Sequence, residues 1–462
     1  MQPHPRVVPM IVAAVAAASC AWVALAAPPT DAEILSKADV IAAAFLQKPG
    51  AVGLSIGVAR KGRVIVAKSY GLADAELDVA ANKDTMFRIG SVTKQFTAAA
   101  IMRLAEQGKL SLDDDAGKYL PEVPLKGHAV TIRQLLNHTS GIPNYTDLEA
   151  WGRVIPLELT HEQVLALVKE TPFDFNPGEG FAYNNTAYHM LGMIIEKLSG
   201  VSYAQYMQDE FFTPLRLGRT RCDSNSTLMK NRAQGYTLQD GKLVNDLPFG
   251  TSQPFAAGTL LSTGEDLVKW SMALASGRVV KPESLAQMST PTVLPSGENT
   301  RLGLGMEIDE CEGRRLFRHG GLIFGFNAML LWLPDEDVHI AVISNGQPLR
   351  SSVIATTLLR EVLGIQNVVA KDVPVPPDLV QRIRGDYTLW GRRVTIYAEG
   401  GKAMMKDQDT FAIYWQGPLA SGGNEFRASF DHNVKLVFAP DGQSFALFDD
   451  SGQTRAKRTN QP

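Results

Sequence analysis

The pattern of apolar and polar positions predicts a helix and a β-hairpin near the start of the chain. Apolar residues recur at helical spacing from position 31 to about 47, which indicates an amphipathic helix. Apolar and polar residues then alternate over 53–58 and 63–69, and Lys61-Gly62 separates the two runs. Such alternation on both sides of a glycine turn predicts two paired strands.

The middle of the chain alternates between predicted helices and strands. Short helices are predicted over 131–136 and 188–198, the second of which is stopped by Gly200. The apolar runs 327–333 and 339–344 are joined by a short acidic turn, so they predict a second hairpin, and residues 350–363 predict a closing helix. Helices and antiparallel hairpins in one chain favour an α+β fold.

A helix buried on every side is predicted to start at Ser91. The segment that follows Gly90 is rich in Ala, Leu and Met and contains neither Pro nor Gly before Gly108. Residues 98–101 are apolar all round, which is typical of a helix with no solvent-facing side. Serine is a favoured residue at a helix N-cap, so we expect Ser91 to cap this helix.

The pattern of apolar and polar residues changes after position 364. Residues 373–377 read Val-Pro-Val-Pro-Pro, a stiff sequence that indicates a linker, which we place at 367–378. Short alternating runs follow, separated by Gly, Asp and Asn, at 393–398, 411–415, 425–430, 434–438 and 444–448. This pattern favours a small antiparallel β-barrel over 379–462.

Length and charge limit the class of protein. With 462 residues, 45% of them hydrophobic, the chain can form a large core and more than one domain. A formal net charge of −3 favours neither nucleic acid nor an acidic membrane surface as a partner. The chain shows no repeats, no metal-ligand cluster and no phosphate-cradling loop, so we expect neither a metal nor a cofactor. The oligomeric state is left open.

Residues 1–27 resemble a secretory signal peptide. Arg6 precedes an Ala-rich apolar run, and Ala24-Leu25-Ala26 matches an A-x-A cleavage site. A weaker alternative is lipoprotein processing at Cys20. We expect a periplasmic or secreted protein that keeps no membrane span after cleavage. Cys222 and Cys311 would then be the remaining cysteines, either as a disulfide or as two thiols.

The Ser91-x-x-Lys94 pattern is the first candidate for chemistry. The two side chains lie one helical turn apart, so they can touch. A lysine in a buried helix is costly unless its pKa falls, and a neutral amine beside a serine can take the hydroxyl proton. An S-x-x-K pattern is, however, expected about once by chance in a chain of this length. The G-x-S-x-G at 53–57 lies in a predicted strand, so we interpret it as coincidence.

Two later stretches could supply further site residues. Tyr183 and Asn185, two positions apart in a glycine-rich loop before a helix, would point the same way. The alternative is that the tyrosine packs in the core and the asparagine caps the helix. His138, in a turn-rich stretch, could be a base or a turn anchor. After His319, Gly320 and Gly321 leave the backbone open to a ligand.

Taken together, these motifs resemble those of the serine β-lactamase and penicillin-binding-protein superfamily. The three motifs are S-x-x-K at Ser91/Lys94, Y-x-N at Tyr183/Asn185 and H-G-G at His319/Gly320/Gly321, with first residues 92 and then 136 positions apart. Flanking segments at 135–141, 175–200 and 257–263 resemble its class C β-lactamase-related branch. Three ordered motifs are far more specific than any one alone.

The resemblance implies both a fold and a set of roles. The fold would be an α+β (α/β sandwich) domain of the β-lactamase/transpeptidase type over 28–366, an antiparallel sheet flanked by helices plus a helical subdomain. The barrel resembles the lipocalin-like C-terminal domain of some related peptidases. Ser91 would be the acylated nucleophile, Lys94 and Tyr183 the acid and base groups, and Asn185 the partner of a substrate carbonyl. The backbone N–H groups of Ser91 and Leu322 would form the oxyanion hole.

The third motif departs from the family pattern. True β-lactamases and most transpeptidases of this superfamily carry a lysine where this chain has His319, which is largely neutral at pH 7. Relatives with histidine include D-aminopeptidases and other peptidases, and some esterases of the family also lack the lysine. This change disfavours substrates held through a carboxylate. We therefore expect a secreted serine hydrolase that cleaves D-amino-acid peptides, amides or carboxyl esters, including cell-wall-derived substrates. The alternatives are a β-lactamase or D,D-carboxypeptidase, and a non-catalytic cell-wall ligand-binding protein.

Overall fold

A seven-stranded antiparallel sheet organises the larger part of the computed structural model. The structure describes residues 28–365 except 124, 312, 348 and 349, together with 377–389, 392–399, 402–407, 414–415, 425–427, 435–449 and 452–459. The expected signal peptide and most of the expected linker lie outside these residues. Nothing in the structure therefore tests either expectation.

The strands fall into two large sheets and two small ones. In chain order they are β1 Gly53–Arg60, β2 Arg63–Asp74, β3 Val79–Ala80, β4 Phe87–Arg88, β5 Arg221–Cys222, β6 Tyr236–Gln239, β7 Lys242–Asn245, β8 Leu260–Ser262, β9 Glu307–Cys311, β10 Arg314–Ile323, β11 Phe326–Leu333, β12 Val338–Ser344, β13 Gly385–Leu389, β14 Arg392–Glu399, β15 Lys402–Asp407, β16 Tyr414–Trp415, β17 Glu425–Arg427, β18 Lys435–Phe438, β19 Ser444–Asp449 and β20 Gly452–Arg458. The seven-stranded sheet has the order β3-β2-β1-β12-β11-β10-β9.

Helices cover both faces of this sheet. The described α-helices are α1 Asp31–Leu46, α2 Thr93–Glu106, α3 Ile132–Leu136, α4 Glu149–Gly152, α5 His161–Ala166, α6 Asn185–Ser199, α7 Tyr203–Met207, α8 Phe255–Gly258, α9 Gly264–Ala275, α10 Pro282–Met288, α11 Ser351–Leu363 and α12 Pro377–Ile383. Helices α1 and α11 pack on one face, and α9 packs on the other with the helical region behind it. None of the helices in the described ranges is long and apolar enough to cross a membrane.

The predicted α+β fold is confirmed, and so are its main elements. The predicted hairpins correspond to β1–β2 and β11–β12, and the predicted helices correspond to α1, α3, α6 and α11. Helix α6 ends at Gly200, whose φ of 76° is the left-handed geometry that glycine adopts without strain. The G-x-S-x-G lies inside β1, where no strand-to-helix turn exists.

Helix α2 lies in the middle of the larger hydrophobic core. Every residue from Thr93 to Met102 is buried, as expected for a helix that is apolar all round. Phe96 stacks on Trp270 of α9 with ring centroids 3.8 Å apart, so the helix is held from the side of the sheet. The first turn of α2 is therefore fixed by packing rather than by contact with solvent.

The C-terminal part is an eight-stranded antiparallel sheet that curls into a half-barrel. Its order is β16-β15-β14-β13-β20-β19-β18-β17, and in the described part of this region no pairing joins β16 to β17. Helix α12, which begins at the end of the expected linker, adds Leu379, Val380 and Ile383 to its core. The likeness to lipocalins stays a prediction.

The two described cysteines are not joined in a disulfide. Cys222 packs at the edge of the core around α2, whereas Cys311 is buried in the layer that holds α1 and α11. Burial raises the pKa of the Cys222 thiol to about 12, so it is protonated at neutral pH. The disulfide that the sequence left open is therefore absent from this structure.

Candidate active site

Ser91 lies at the entrance to α2, in a short 3₁₀ turn formed by Gly90–Val92. The expectation that Ser91 caps the helix is wrong, because α2 begins at Thr93 and no side chain caps it. The Ser91 hydroxyl is instead within hydrogen-bond distance of Lys94, with Oγ and Nζ 3.1 Å apart. A capping hydroxyl is bound to a backbone N–H, whereas this one faces an amine next to the positive end of a helix dipole.

Lys94 is fully buried among neutral oxygens. Its Nζ lies 2.8 Å from Asn185 Oδ1 and 2.9 Å from the Ala257 carbonyl oxygen, in addition to the contact with Ser91. Burial holds the pKa of Lys94 well below the usual value for lysine. Neutral dipoles compensate an ammonium less than a carboxylate would, so this environment favours the uncharged amine.

The three oxygens around Lys94 match the hydrogen-bonding capacity of a neutral amine. An uncharged amine has two N–H donors and one lone pair. Asn185 Oδ1 and the Ala257 carbonyl can accept the two donors, because neither has a proton to give. The lone pair is then directed at Ser91, whose hydroxyl is the partner that can donate. The geometry thus suits removal of the Ser91 proton by Lys94.

Tyr183 and Asn185 lie at the start of α6, on the other side of Lys94. The Lys94 Nζ is 4.7 Å from the centroid of the Tyr183 ring. Asn184, rather than Asn185, caps α6, since its side chain accepts the Ala187 N–H at 2.8 Å. The Asn185 side chain does not cap the helix and contacts Lys94 directly. Tyr183 and Asn185 of the second motif therefore meet Lys94 of the first motif.

Residues 319–323 of β10, which extend beyond the pairing of β10 with the edge strand β9, close the site from the sheet side. Gly321 is so close to the nucleophile turn that a Cβ on it would lie 1.9 Å from the Ile89 carbonyl oxygen and 3.2 Å from the Ser91 nitrogen. Gly90, with φ of 50°, would in turn bring a Cβ to 2.9 Å from the Leu322 nitrogen. The backbone nitrogens of Ser91 and Leu322 therefore lie on adjoining segments, as an oxyanion hole requires.

His319 is a buried, neutral side chain. It is 2% exposed, and its Nδ1 lies 2.6 Å from the Gly320 carbonyl oxygen, to which it can donate. Burial lowers the pKa of His319, and the nearby Glu307 only partly offsets this. The imidazole therefore supplies no fixed positive charge for a substrate carboxylate at neutral pH.

Three contacts of the site were not predicted from the sequence. The Ala257 carbonyl that contacts Lys94 gives no sequence signal, because every residue type has such an oxygen. Thr146 Oγ accepts from Asn185 Nδ2 at 3.1 Å, and no motif marks it. His138, which the sequence offered as a base or a turn anchor, is buried with its ring against Tyr183.

No metal site accompanies this arrangement in the part of the chain that the structure describes. Those residues contain no group of three or more His, Cys, Asp or Glu side chains that could hold an ion. The reactive groups that meet at the site are a serine hydroxyl, an amine and a phenol.

Comparison with known proteins places this site in a family. The protein-family model "Beta-lactamase" matches residues 38–364. The chain is 30% identical to protein flp of Staphylococcus aureus (strain MRSA252) over 312 residues, 66% of this chain and 62% of that protein. This chain thus spans about three fifths of the length of the curated relative.

Solved structures give the same result. The octameric penicillin-binding protein homologue from Pyrococcus abyssi superposes with a TM-score of 0.67 and 26% identity, covering 91% of this chain and 99% of that one. Residues 1–365 alone could not supply this 91% coverage of a 462-residue chain, so the likeness extends into the C-terminal region. The D-amino acid amidase from Ochrobactrum anthropi SV3 has a TM-score of 0.61 and 25% identity over 72% of this chain and 97% of its own. With this fold, and with a family model matching most of its length, the chain belongs to the beta-lactamase family of the serine hydrolase superfamily.

Proposed function

We propose that this protein is an active serine hydrolase that forms an acyl-enzyme on Ser91. The observation that carries the proposal is the buried Lys94 amine, 3.1 Å from the Ser91 hydroxyl and surrounded by neutral oxygens. A protein that only bound ligands would gain nothing from this arrangement, because a buried lysine without a counter-charge destabilises the fold.

The first half of the reaction acylates Ser91. The Ser91 proton moves to the Lys94 amine, and Oγ attacks the carbonyl carbon of the substrate. The backbone N–H groups of Ser91 and Leu322 stabilise the oxyanion of the tetrahedral intermediate. The intermediate collapses when its C–N or C–O bond breaks, and the leaving group takes a proton from Lys94, directly or through the Tyr183 hydroxyl.

The second half of the reaction releases the acyl group. Water replaces the leaving group and attacks the ester carbonyl, giving its proton to the Lys94 amine, directly or through the Tyr183 hydroxyl; Lys94 then returns a proton to the Ser91 oxygen as the acyl–oxygen bond breaks. The acid is then released. Asn185, already oriented by Thr146 and Lys94, would contact the substrate carbonyl through its second amide N–H.

The neutral His319 favours substrates that need no carboxylate anchor. Amides and peptides of D-amino acids and simple carboxyl esters meet this condition, and the solved D-amino acid amidase is consistent with the first class. Penicillins and carboxyl-terminal D-alanyl peptides each carry a carboxylate that His319 would not neutralise. We rank amides and esters above lactams for this reason.

We place this activity outside the cytoplasm on the basis of the signal-like residues 1–27. Sequencing the N-terminus of the protein recovered from the producing cell tests this. A start just after Ala26 or Ala27 supports export by cleavage, and an intact N-terminus in the cytosolic fraction contradicts it.

Intact-mass analysis tests the proposed function. The mature protein is mixed separately with p-nitrophenyl acetate, a D-alanyl amide and a penicillin, and product release is followed in parallel. Turnover or an acyl adduct that maps to Ser91 and disappears in Ser91→Ala supports the proposal. Neither turnover nor an adduct with any of the three substrates contradicts it and favours a binding protein.

A further inference from the structure

His138 is a buried histidine beside the site, and the proposed reaction gives it no role. It is 2% exposed and follows α3 with φ of 63°, a left-handed conformation that is uncommon for a residue with a side chain. Such strain persists where the surrounding structure holds it in place, and it is frequent at functional sites. The His138 ring lies near those of Phe181 and Tyr188, and its shortest contacts are with Tyr183 and the two residues that flank it.

The residues before and after Tyr183 both donate their backbone N–H groups to His138. The His138 carbonyl oxygen accepts the N–H of Ala182 at 3.1 Å, and His138 Nδ1 accepts the N–H of Asn184 at 2.9 Å. The imidazole ring also stacks on the phenol ring, with centroids 4.5 Å apart and planes at 30°. One residue thus fixes the backbone on either side of Tyr183 as well as its ring.

The hydrogen bond from Asn184 identifies the protonation state of His138. Because a backbone N–H only donates, Nδ1 must carry no proton, and the neutral ring holds its hydrogen on Nε2. Burial keeps the pKa of His138 well below its ordinary value. The acceptor at Nδ1 is therefore available throughout the neutral pH range.

We propose that His138 is the positioning residue that holds the Tyr183 phenol against Lys94, so that His138 affects the rate only through Tyr183. This inference rests on the proposed function. Among the described contacts, His138 reaches Tyr183 rather than Ser91, and the Tyr183 ring lies 4.7 Å from Lys94 Nζ. Since a displacement of about 1 Å can cost about 10²-fold in rate, loss of these contacts should lower kcat.

A double-mutant cycle with p-nitrophenyl acetate tests this inference. We expect His138→Ala to lower kcat about tenfold to a hundredfold, with a much smaller change in KM. His138→Asn should recover part of that loss, because asparagine offers an acceptor near the position of Nδ1 and tolerates a positive φ. In a Tyr183→Phe background, His138→Ala should cause no further loss of kcat.

The comparison of the two backgrounds separates positioning from folding, because a purely structural defect lowers activity equally in both. Thermal unfolding of each variant checks that the fold is kept. Equal losses of kcat in the two backgrounds, or a full rate in His138→Ala, would overturn this inference and leave the proposed function standing. So would a full rate in Tyr183→Phe. An inactive wild-type protein would overturn the proposed function first. If His138→Ala does not fold, the same cycle is run with His138→Asn.

Discussion

A single methyl group at Gly321 of β10 should impair the oxyanion hole and leave the contact between Ser91 and Lys94 in place. In Gly321→Ala the new Cβ would lie 1.9 Å from the Ile89 carbonyl oxygen, whereas ordinary contact begins at 3.4 Å. Relief of the clash therefore requires β10 and the nucleophile turn to move apart by about 1.5 Å. The obstacle is backbone, so no side chain can rotate out of the way.

The expected loss of kcat follows from the movement of the Leu322 N–H. Separation of β10 from Gly90 pulls the Leu322 N–H away from the Ser91 N–H, and both are expected to hold the same oxyanion. Removal of one oxyanion-hole donor typically costs about 10²–10³-fold in kcat. We therefore expect Gly321→Ala to lower kcat by about that factor, while Ser91 and Lys94 keep their contact.

The neighbouring glycine provides the matched control. A Cβ on Gly320 would meet only Met329 Cε, at 3.5 Å, which is an ordinary contact. Gly320→Ala should therefore keep kcat within about twofold of the wild type, as substitutions without a named clash usually do. Initial rates with p-nitrophenyl acetate and circular dichroism of both variants check the pair. Equal rates for Gly321→Ala and the wild type, or equal losses in both variants, would refute the reasoning.

Three further predictions follow from the site. Because deprotonation of Lys94 creates the base, kcat/KM should rise with pH through a pKa well below the 10.5 usual for lysine; a rate profile with its midpoint near that value would contradict the assignment. Tyr183→Phe should lower kcat by about 10²-fold or more with little change in melting temperature, and an unchanged rate would remove the phenol from the mechanism. His319→Lys should shift relative kcat/KM toward substrates with a carboxylate, as competition between a D-alanyl amide and a D-alanyl-D-alanine peptide would measure; an unaltered ratio would show that this position does not select charge.

Several helices and two hairpins of the larger part were predictable, because apolar residues recur there at helical spacing or in short runs bounded by turns. The curled C-terminal sheet shows where that signal fails. Strands β13, β15 and β20 were not predicted, and β20 reads Gly-Gln-Thr-Arg-Ala-Lys-Arg, with Ala456 as its described buried side chain. Pairing with β13 on one side and β19 on the other holds this polar segment in place. Backbone hydrogen bonds of that kind leave no pattern in the sequence.

The candidate site was predictable as a set of residue types but not as a network. The three motifs identified Ser91, Lys94 and Tyr183, and the structure brings them together. The expected cap was wrong because Gly90–Val92 form a 3₁₀ turn and α2 begins only at Thr93. The environment of Lys94, which depends on the Ala257 carbonyl, arises only when distant segments meet. The spacing of the motifs indicates which reactive groups are present, whereas the pKa of Lys94 and the orientation of the side chains depend on tertiary contacts.

The central claim is that the Lys94 amine activates Ser91. The most direct test is intact-mass analysis of the wild type, Ser91→Ala and Lys94→Met after brief exposure to p-nitrophenyl acetate at neutral pH. The account predicts an acetyl adduct on Ser91, or rapid turnover, in the wild type and neither in the two variants. Methionine keeps much of the apolar stem of Lys94, so the fold should persist. Acetylation of Lys94→Met at the wild-type rate would contradict the account.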